Sequence, residues 1–176
     1  RMVLFKNRLA LKQLSWLGYC NTTGLDQMDY IIADPNVIKK DETTLYSEKV
    51  IFLPEIWNCH SGLDIKRTNY LSPCIKNNFF TFGSFNNFNK INDDVIRVWS
   101  EILKNVNKSR LVLKSSIPMQ KNKIKELFKK YGVVDSVTFH ETKTFNEHLN
   151  LYKTIDLALD TFPYNGVTTS FEAIWM

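Results

Sequence analysis

Residues 79–106 read FFTFGSFNNFNKINDDVIRVWSEILKNV, and the period of the pattern changes half-way along. The opening FFTFGSF has the length and aromatic content of a strand. The remainder places Ile91, Val95, Val98, Trp99, Ile102 and Val106 at steps of three and four, the spacing of one helix face. Asn92 stands where an N-cap belongs, Asp93 and Asp94 put negative charge in the first turn, and Lys104 puts positive charge near the far end, in agreement with the helix dipole. The unit is strand then helix, and it repeats. RLVLK (110–114) reads as a strand, NKIKELFKKYG (122–132) as a helix closed by Gly132, SVTFH (136–140) as a strand, Phe145 to Tyr152 as a short helix, and IDLALD (155–160) as a strand buried on both faces. Four strands separated by three helical segments predict a parallel, Rossmann-like sheet of βαβ units.

Upstream the pattern is less regular. QLSWLGY (13–19), DYIIAD (29–34) and EKVIFLP (48–54) read as buried strands joined by long loops, while residues 54–78 have little periodicity and suit a linker. The expected plan is residues 1–60 as the end of one α/β lobe, 61–78 as a connector, and 79–176 as the first part of a second lobe. A helix beginning near Thr168 and reaching only Met176 has barely two turns, so the chain is expected to be a fragment cut inside that element.

Composition narrows the class. The 176 residues carry an ordinary apolar share for a globular core, and no apolar run approaches the ~20 residues that span a bilayer. No export signal is evident at the start, so the expected location is cytoplasmic, with no membrane partner. The formal charge of +5 invites a nucleic-acid reading. Its densest stretch, MQKNKIKELFKKYG (119–132), instead alternates Lys with Ile124, Leu127 and Phe128 at helical spacing, which makes the lysines a solvated helix face and gives no nucleic-acid partner. Cys20, Cys59 and Cys74 lack a C-x-x-C pair and read as free thiols, and no metal-ligand spacing is present.

Two loops carry chemistry. In FGSFNNFNK (82–90), Gly83 and Ser84 allow a tight turn, and Asn86, Asn87 and Lys90 place amides and an ammonium at a strand's carboxyl end. In the last 22 residues, IDLALDTFPYNGVTTSFEAIWM, Pro163, Asn165 and Gly166 break the strand, and Thr169 to Glu172 has the T-x-x-E spacing of a capping box. A helix start after a buried strand offers unpaired N–H groups and partial positive charge, which is where α/β proteins bind phosphate. Lys90 and that helix start therefore suit a diphosphate clamp in which the ammonium carries leaving-group charge. On local grounds an ordinary βα turn and a surface lysine remain open. His148 lies on the short helix beside this edge, where on local grounds a packing or surface role is the commoner one for a lone His; no nucleophilic triad can be read.

WLGY with NTTG, then MDYIIAD, YSEKVIFLP, FGSFNNFNKI with VIRVWSEILKNVNKSRLVLK, and DLALDTFPYNGVTTSFEAIWM together resemble the catalytic region of the O-GlcNAc transferase family, nearest to its SPINDLY-type and bacterial members. The resemblance runs from about Gln13 to the end and is weakest over residues 55–78. It implies a GT-B fold of two Rossmann-like lobes, a nucleotide-sugar donor held mainly by the second lobe, tetratricopeptide repeats ahead of the catalytic region, and metal-independent, inverting transfer to Ser and Thr hydroxyls of intracellular proteins. By position it implies that Lys90 contacts the diphosphate and is needed for catalysis, that Asn87 lies near the donor phosphates, and that Thr168 and Thr169 form the phosphate-binding pair. It places Glu172 near the ribose and His148 near the base.

The departures bear on the donor. Val167 stands where the animal enzyme has a His, Leu151 where it has an Arg, and Phe145 where it has a Lys; Cys20, which replaces a usual proline, lies in the N-terminal lobe and is expected to change little. UDP-GlcNAc is the expected donor, with GDP-fucose the alternative and no tightly bound cofactor. A non-catalytic nucleotide-sugar-binding or scaffold module, and a transferase acting on a small molecule or glycan, are the competing readings. The isolated piece is expected to be inactive.

Overall fold

The computed structural model describes residues 2–65, 71–115 and 117–176. The chain divides into two compact units, residues 1–61 and 62–176.

The first unit holds a short helix α1 (Met2–Phe5) and three parallel strands, β1 (Leu14–Ser15), β2 (Tyr30–Ala33) and β3 (Lys49–Phe52), in the order β1-β2-β3. Its core gathers Met28, Ile31, Ala33, Ile38 and Trp57. Buried carboxylates tie down its loops. Asp34 accepts from the amide of Asn36 at 2.7 Å and, through its other oxygen, from that of Trp57 at 2.7 Å. Glu48 accepts from the Thr22 hydroxyl at 2.7 Å, from the Thr23 amide at 2.6 Å and from the Thr23 hydroxyl, which folds the NTTG loop around one acid. The sequence reading of three buried strands needs correction. Only β2 is flanked on both sides; β1 and β3 are sheet edges, and β3 alternates exposed with half-buried residues as a strand with one wet face does.

The second unit opens on α2 (Pro73–Asn77) and continues β4 (Phe80–Ser84), α3 (Asp93–Asn105), β5 (Ser109–Lys114), α4 (Pro118–Lys130), β6 (Val137–His140), α5 (Phe145–Tyr152), β7 (Leu157–Ala158) and α6 (Thr168–Trp175). All four strands are parallel, in the order β6-β5-β4-β7. On one face Phe82, Leu111 and Leu113 pack with Val95, Ile96 and Trp99 of α3 and Ile124 and Phe128 of α4. On the other face Phe85 and Val112 pack with Leu149, Leu151 and Tyr152 of α5 and Ala173 of α6. Full burial of a side chain such as Phe128 contributes about 1.5–3 kcal/mol, so this two-sided core is what fixes the sheet.

Local signals explain the helix ends. Asn92 caps α3 by accepting from the Val95 amide at 2.9 Å. Gly132, at φ +73°, closes α4: its amide donates to Lys129 O at 3.0 Å and that of Val133 to Phe128 O at 3.1 Å, the double bond that a left-handed residue permits. The lysines of α4 face solvent, as its periodicity predicts.

Two expectations change here. β7 is an edge strand of two residues with both side chains exposed, not a strand buried on both faces, because only β4 pairs with it. The stretch expected as connector is in part integral to this unit. Leu63 and Ile65 pack on the α5 side, and Asp156 accepts from the Cys74 amide at 2.9 Å, the Thr81 amide at 2.8 Å and the Ser72 hydroxyl. Residues 66–70 of it lie outside the described residues. Among the described residues no helix is long and apolar enough to cross a membrane.

Candidate functional site

The strand order reverses at β4, with β5 and β6 on one side and β7 on the other. At such a reversal the loops leaving the carboxyl ends part and open a crevice. Here those are the loop after β4, residues 85–92, and the loop after β7, residues 159–167.

The first loop grips the second. Asn87 caps a single 3-10 turn, Phe88–Lys90, its side-chain oxygen accepting from the Asn89 amide at 2.9 Å. That turn aims Lys90 across the crevice, where its Nζ donates to Asn165 O at 2.8 Å and stands 4.4 Å from the Tyr164 ring centroid. Partial burial lowers the Lys90 pKa, and the nearby Asp160 carboxylate opposes that shift. Asn86, itself buried, donates to Asp160 Oδ1 at 3.1 Å and accepts from the Thr169 hydroxyl at 2.9 Å. Asn92, while capping α3, donates to Phe162 O at 3.0 Å.

Asp160 organises the second loop from inside, accepting from the amides of Thr161 at 2.8 Å and Gly166 at 2.7 Å. Gly166 lies against three polar side chains. A Cβ there would lie 2.5 Å from Ser170 Oγ, 2.8 Å from Thr169 Oγ1 and 2.9 Å from Asn86 Oδ1. Directly after it α6 begins at Thr168, with Val167 in the cap position and no side-chain cap. The expected capping box of Thr169 and Glu172 therefore does not form. The Thr169 hydroxyl is taken by Asn86, and Glu172 turns inward to a buried imidazole, so the first-turn N–H groups keep no capping acceptor.

That imidazole is His148, buried on α5. Its Nε2 lies 2.9 Å from Glu172 Oε2 and its Nδ1 lies 3.1 Å from Lys114 Nζ, at the carboxyl end of β5. The Tyr152 hydroxyl lies 3.2 Å from the same Glu172 oxygen and 3.0 Å from Thr169 O. Burial first, and then the Glu172 charge, push the Tyr152 pKa far up, so it stays a neutral donor. Burial lowers the Lys114 pKa, against the attraction of Glu172.

The family model described as glycosyl transferase family 41 matches residues 1–63 and 58–176. The chain belongs to glycosyl transferase family 41. It is 38% identical over 177 residues to the probable UDP-N-acetylglucosamine–peptide N-acetylglucosaminyltransferase SPINDLY of Oryza sativa subsp. japonica, a match covering 96% of this chain and 19% of the relative. It is 34% identical to the protein of the same description from Arabidopsis thaliana, again over 96% of this chain and 19% of the relative. Among solved structures, a mutant of the Thermobaculum terrenum O-GlcNAc transferase superposes with a TM-score of 0.86 at 30% identity, covering 99% of this chain and 34% of that one. The chain thus spans about a fifth of the length of its curated relatives. The α/β, GT-B-like class expected from the sequence agrees with that likeness.

Within this family 41 chain, the residues singled out by sequence fall into three sets. Lys90, Thr168 and Thr169 sit at the crevice, Lys90 through Asn165 and Thr169 through Asn86. Asn87 is exposed and spends its side-chain oxygen on the turn that carries Lys90. His148 and Glu172 form a buried pair beside the crevice. Of the departures, Phe145 and Val167 are exposed while Leu151 is buried in the α5 core. Sequence reading missed Asp160, Lys114 and Tyr152 as parts of this constellation. The available signal was position: Asp160 and Lys114 are the charged residues that close the apolar runs of β7 and β5, at the edge where ligands bind.

Proposed function

We propose that this chain is the donor-facing part of a longer glycosyltransferase that moves a sugar, N-acetylglucosamine above all, from a UDP donor to Ser and Thr hydroxyls of proteins. Residues 1–60 belong to the N-terminal catalytic lobe, 61–78 to a connector whose described part packs into the second unit, and 79–176 to the nucleotide-sugar lobe, with tetratricopeptide repeats elsewhere in the full-length protein. The observation that carries the reading is that Lys90 reaches across the strand reversal to the loop opening α6, in a chain whose relatives are described as peptide N-acetylglucosaminyltransferases.

In this reading the diphosphate takes the place between Lys90 and the first turn of α6. The free N–H groups of that turn, those of Thr168 and Thr169 among them, and the Thr168 hydroxyl hold the phosphate oxygens, while the Thr169 hydroxyl stays bonded to Asn86 and fixes the turn. The Lys90 ammonium stabilises the charge that develops on the leaving nucleoside diphosphate as the sugar departs, a fixed cation in a partly water-excluded site. Asn87 sets the turn that aims Lys90, His148 lies against the nucleoside, and Glu172 holds His148. GDP-fucose has no support in the relatives' descriptions and serves as the comparison donor.

The test is calorimetric titration of the full-length protein and its Lys90→Ala variant with UDP, GDP, UDP-GlcNAc and GDP-fucose. A uridine nucleotide should bind, and loss of the charge-assisted contact should weaken it by roughly 1.5–3 kcal/mol, about ten- to a hundredfold. Absence of binding by any of the four would leave the scaffold reading in its place, and preferential binding of GDP-fucose would reassign the donor.

A further inference from the structure

We propose that Lys114 reads the donor's base, its ammonium donating a hydrogen bond to a carbonyl oxygen on the nucleobase. This rests on the nucleotide-sugar reading above and names the residue that gives that site its preference among bases.

Lys114 ends β5 and lines a cleft of ≈ 310 Å³. Phe85, Phe88 and Ile117 give that cleft apolar walls; Asn86, Ser115 and Gln120 give it polar ones. An ammonium has three N–H donors and no lone pair, so His148 Nδ1 must be the acceptor in their 3.1 Å contact. The imidazole proton is thereby placed on Nε2, where it meets Glu172 Oε2 at 2.9 Å. With Lys114 carrying its proton, the row Lys114, His148, Glu172 pairs donor with acceptor at each contact. His148 uses one donor of the ammonium. The ammonium's other N–H groups remain available to an acceptor on a ligand that enters the cleft Lys114 lines.

The chemistry of that acceptor follows from place. The diphosphate position already has its cation, Lys90, which points to the β7 side of β4. Lys114 lies on the β5 side. A second, smaller pocket of ≈ 170 Å³ lies over the β7 side and is lined by Asp160, Thr169 and Ser170; Phe85 and Asn86 line both. One ligand can therefore pass over the end of β4 from one to the other. β5 and β7 are two strand spacings apart, roughly 10 Å, which separates a nucleoside's base from its terminal phosphate better than two phosphates. A cleft with aromatic walls and one strong donor suits a flat ring bearing a carbonyl.

Four probes test this on the full-length protein: UDP, ADP, GDP and inorganic pyrophosphate, titrated into wild type, Lys114→Met, Lys114→Arg and Lys90→Ala. Adenine has no carbonyl; uracil and guanine do. Wild type should prefer UDP to ADP, and Lys114→Met should lose about tenfold or more in UDP affinity with less than about threefold change for ADP and pyrophosphate. Lys114→Arg, which keeps donors, should retain a UDP preference, and Lys90→Ala should weaken all four. Equal losses for UDP and ADP in both Lys114 variants would overturn the proposal, because the amine would then serve the ribose, the phosphates or the shape of the site. Unchanged UDP binding in Lys114→Met, or no base preference in wild type, would overturn it as well. If wild type binds UDP and Lys90→Ala does not, such results sink this inference alone; no nucleotide binding in wild type sinks both.

Discussion

Glu172 serves two buried neighbours at once. One of its oxygens faces both the His148 imidazole and the Tyr152 hydroxyl, and the residue is almost wholly buried. Removing an acceptor from buried donors costs more than the bond itself, since the donors lose water and gain nothing. Glu172→Ala should therefore destabilise the protein by about 2–4 kcal/mol in urea denaturation, whereas Glu172→Gln, which keeps a carbonyl acceptor, should cost about half as much or less. Equal stability of wild type and the Ala variant would remove Glu172 as the centre of this network. The same residue marks the limit of local reading. T-x-x-E spacing is a sound signal for a helix start, and α6 does start there, but a carboxylate can serve one partner set at a time, and a buried imidazole from α5 lies where only the folded chain could place it.

At the scale of elements, Asp156 fastens the start of β4 and the α2 turn to the edge strand. Burial would raise its pKa, but hydrogen bonds from the Ser72 hydroxyl and the Cys74 and Thr81 amides outweigh that and hold it below the ordinary aspartate value of 3.8. A carboxyl depressed on folding contributes stability that is fully present above that ordinary value and is lost as pH falls through the lower, folded one. Asp156→Asn should cost about 1–3 kcal/mol at pH 7 and flatten the acid-induced loss of stability below about pH 4, seen in denaturation curves at pH 7 and pH 3. An acid slope identical to wild type would show that other carboxylates govern that range. α3 was legible because period, cap and terminal charge agree in sequence, whereas α4 was legible in its period and its glycine stop but starts at Pro118, four residues before the expected 122, with no side-chain cap to mark it. β7 was not. Its apolar run is genuine, but whether a strand is central or at an edge depends on pairing with β4, some 75 residues earlier, which no local pattern encodes.

Across the whole molecule, the legible part of the site was its addresses: the two loops, Lys90 and the threonine pair. The illegible part was the joinery, since the contacts Lys90–Asn165, Asn86–Thr169 and Lys114–His148 link residues 75, 83 and 34 positions apart. A consequence for hydrogen exchange is that a bound nucleotide should protect amides in residues 85–92, 112–115 and 160–170 of the second unit and leave the β2 and β3 amides of the first unit unchanged. Protection confined to the first unit would contradict the placement of the donor. The order β6-β5-β4-β7 also sets a sequence of assembly. β4, β5 and β6 pair across connections of about 30 residues, whereas β7 must return to β4 from much farther along the chain and meets it at only two register positions. Long loops close late and short strand pairs open early. The crevice between the β4 and β7 loops is therefore the last part of this unit to be completed during folding and the first to come apart, so a nascent chain acquires its core before it acquires the loops that meet there.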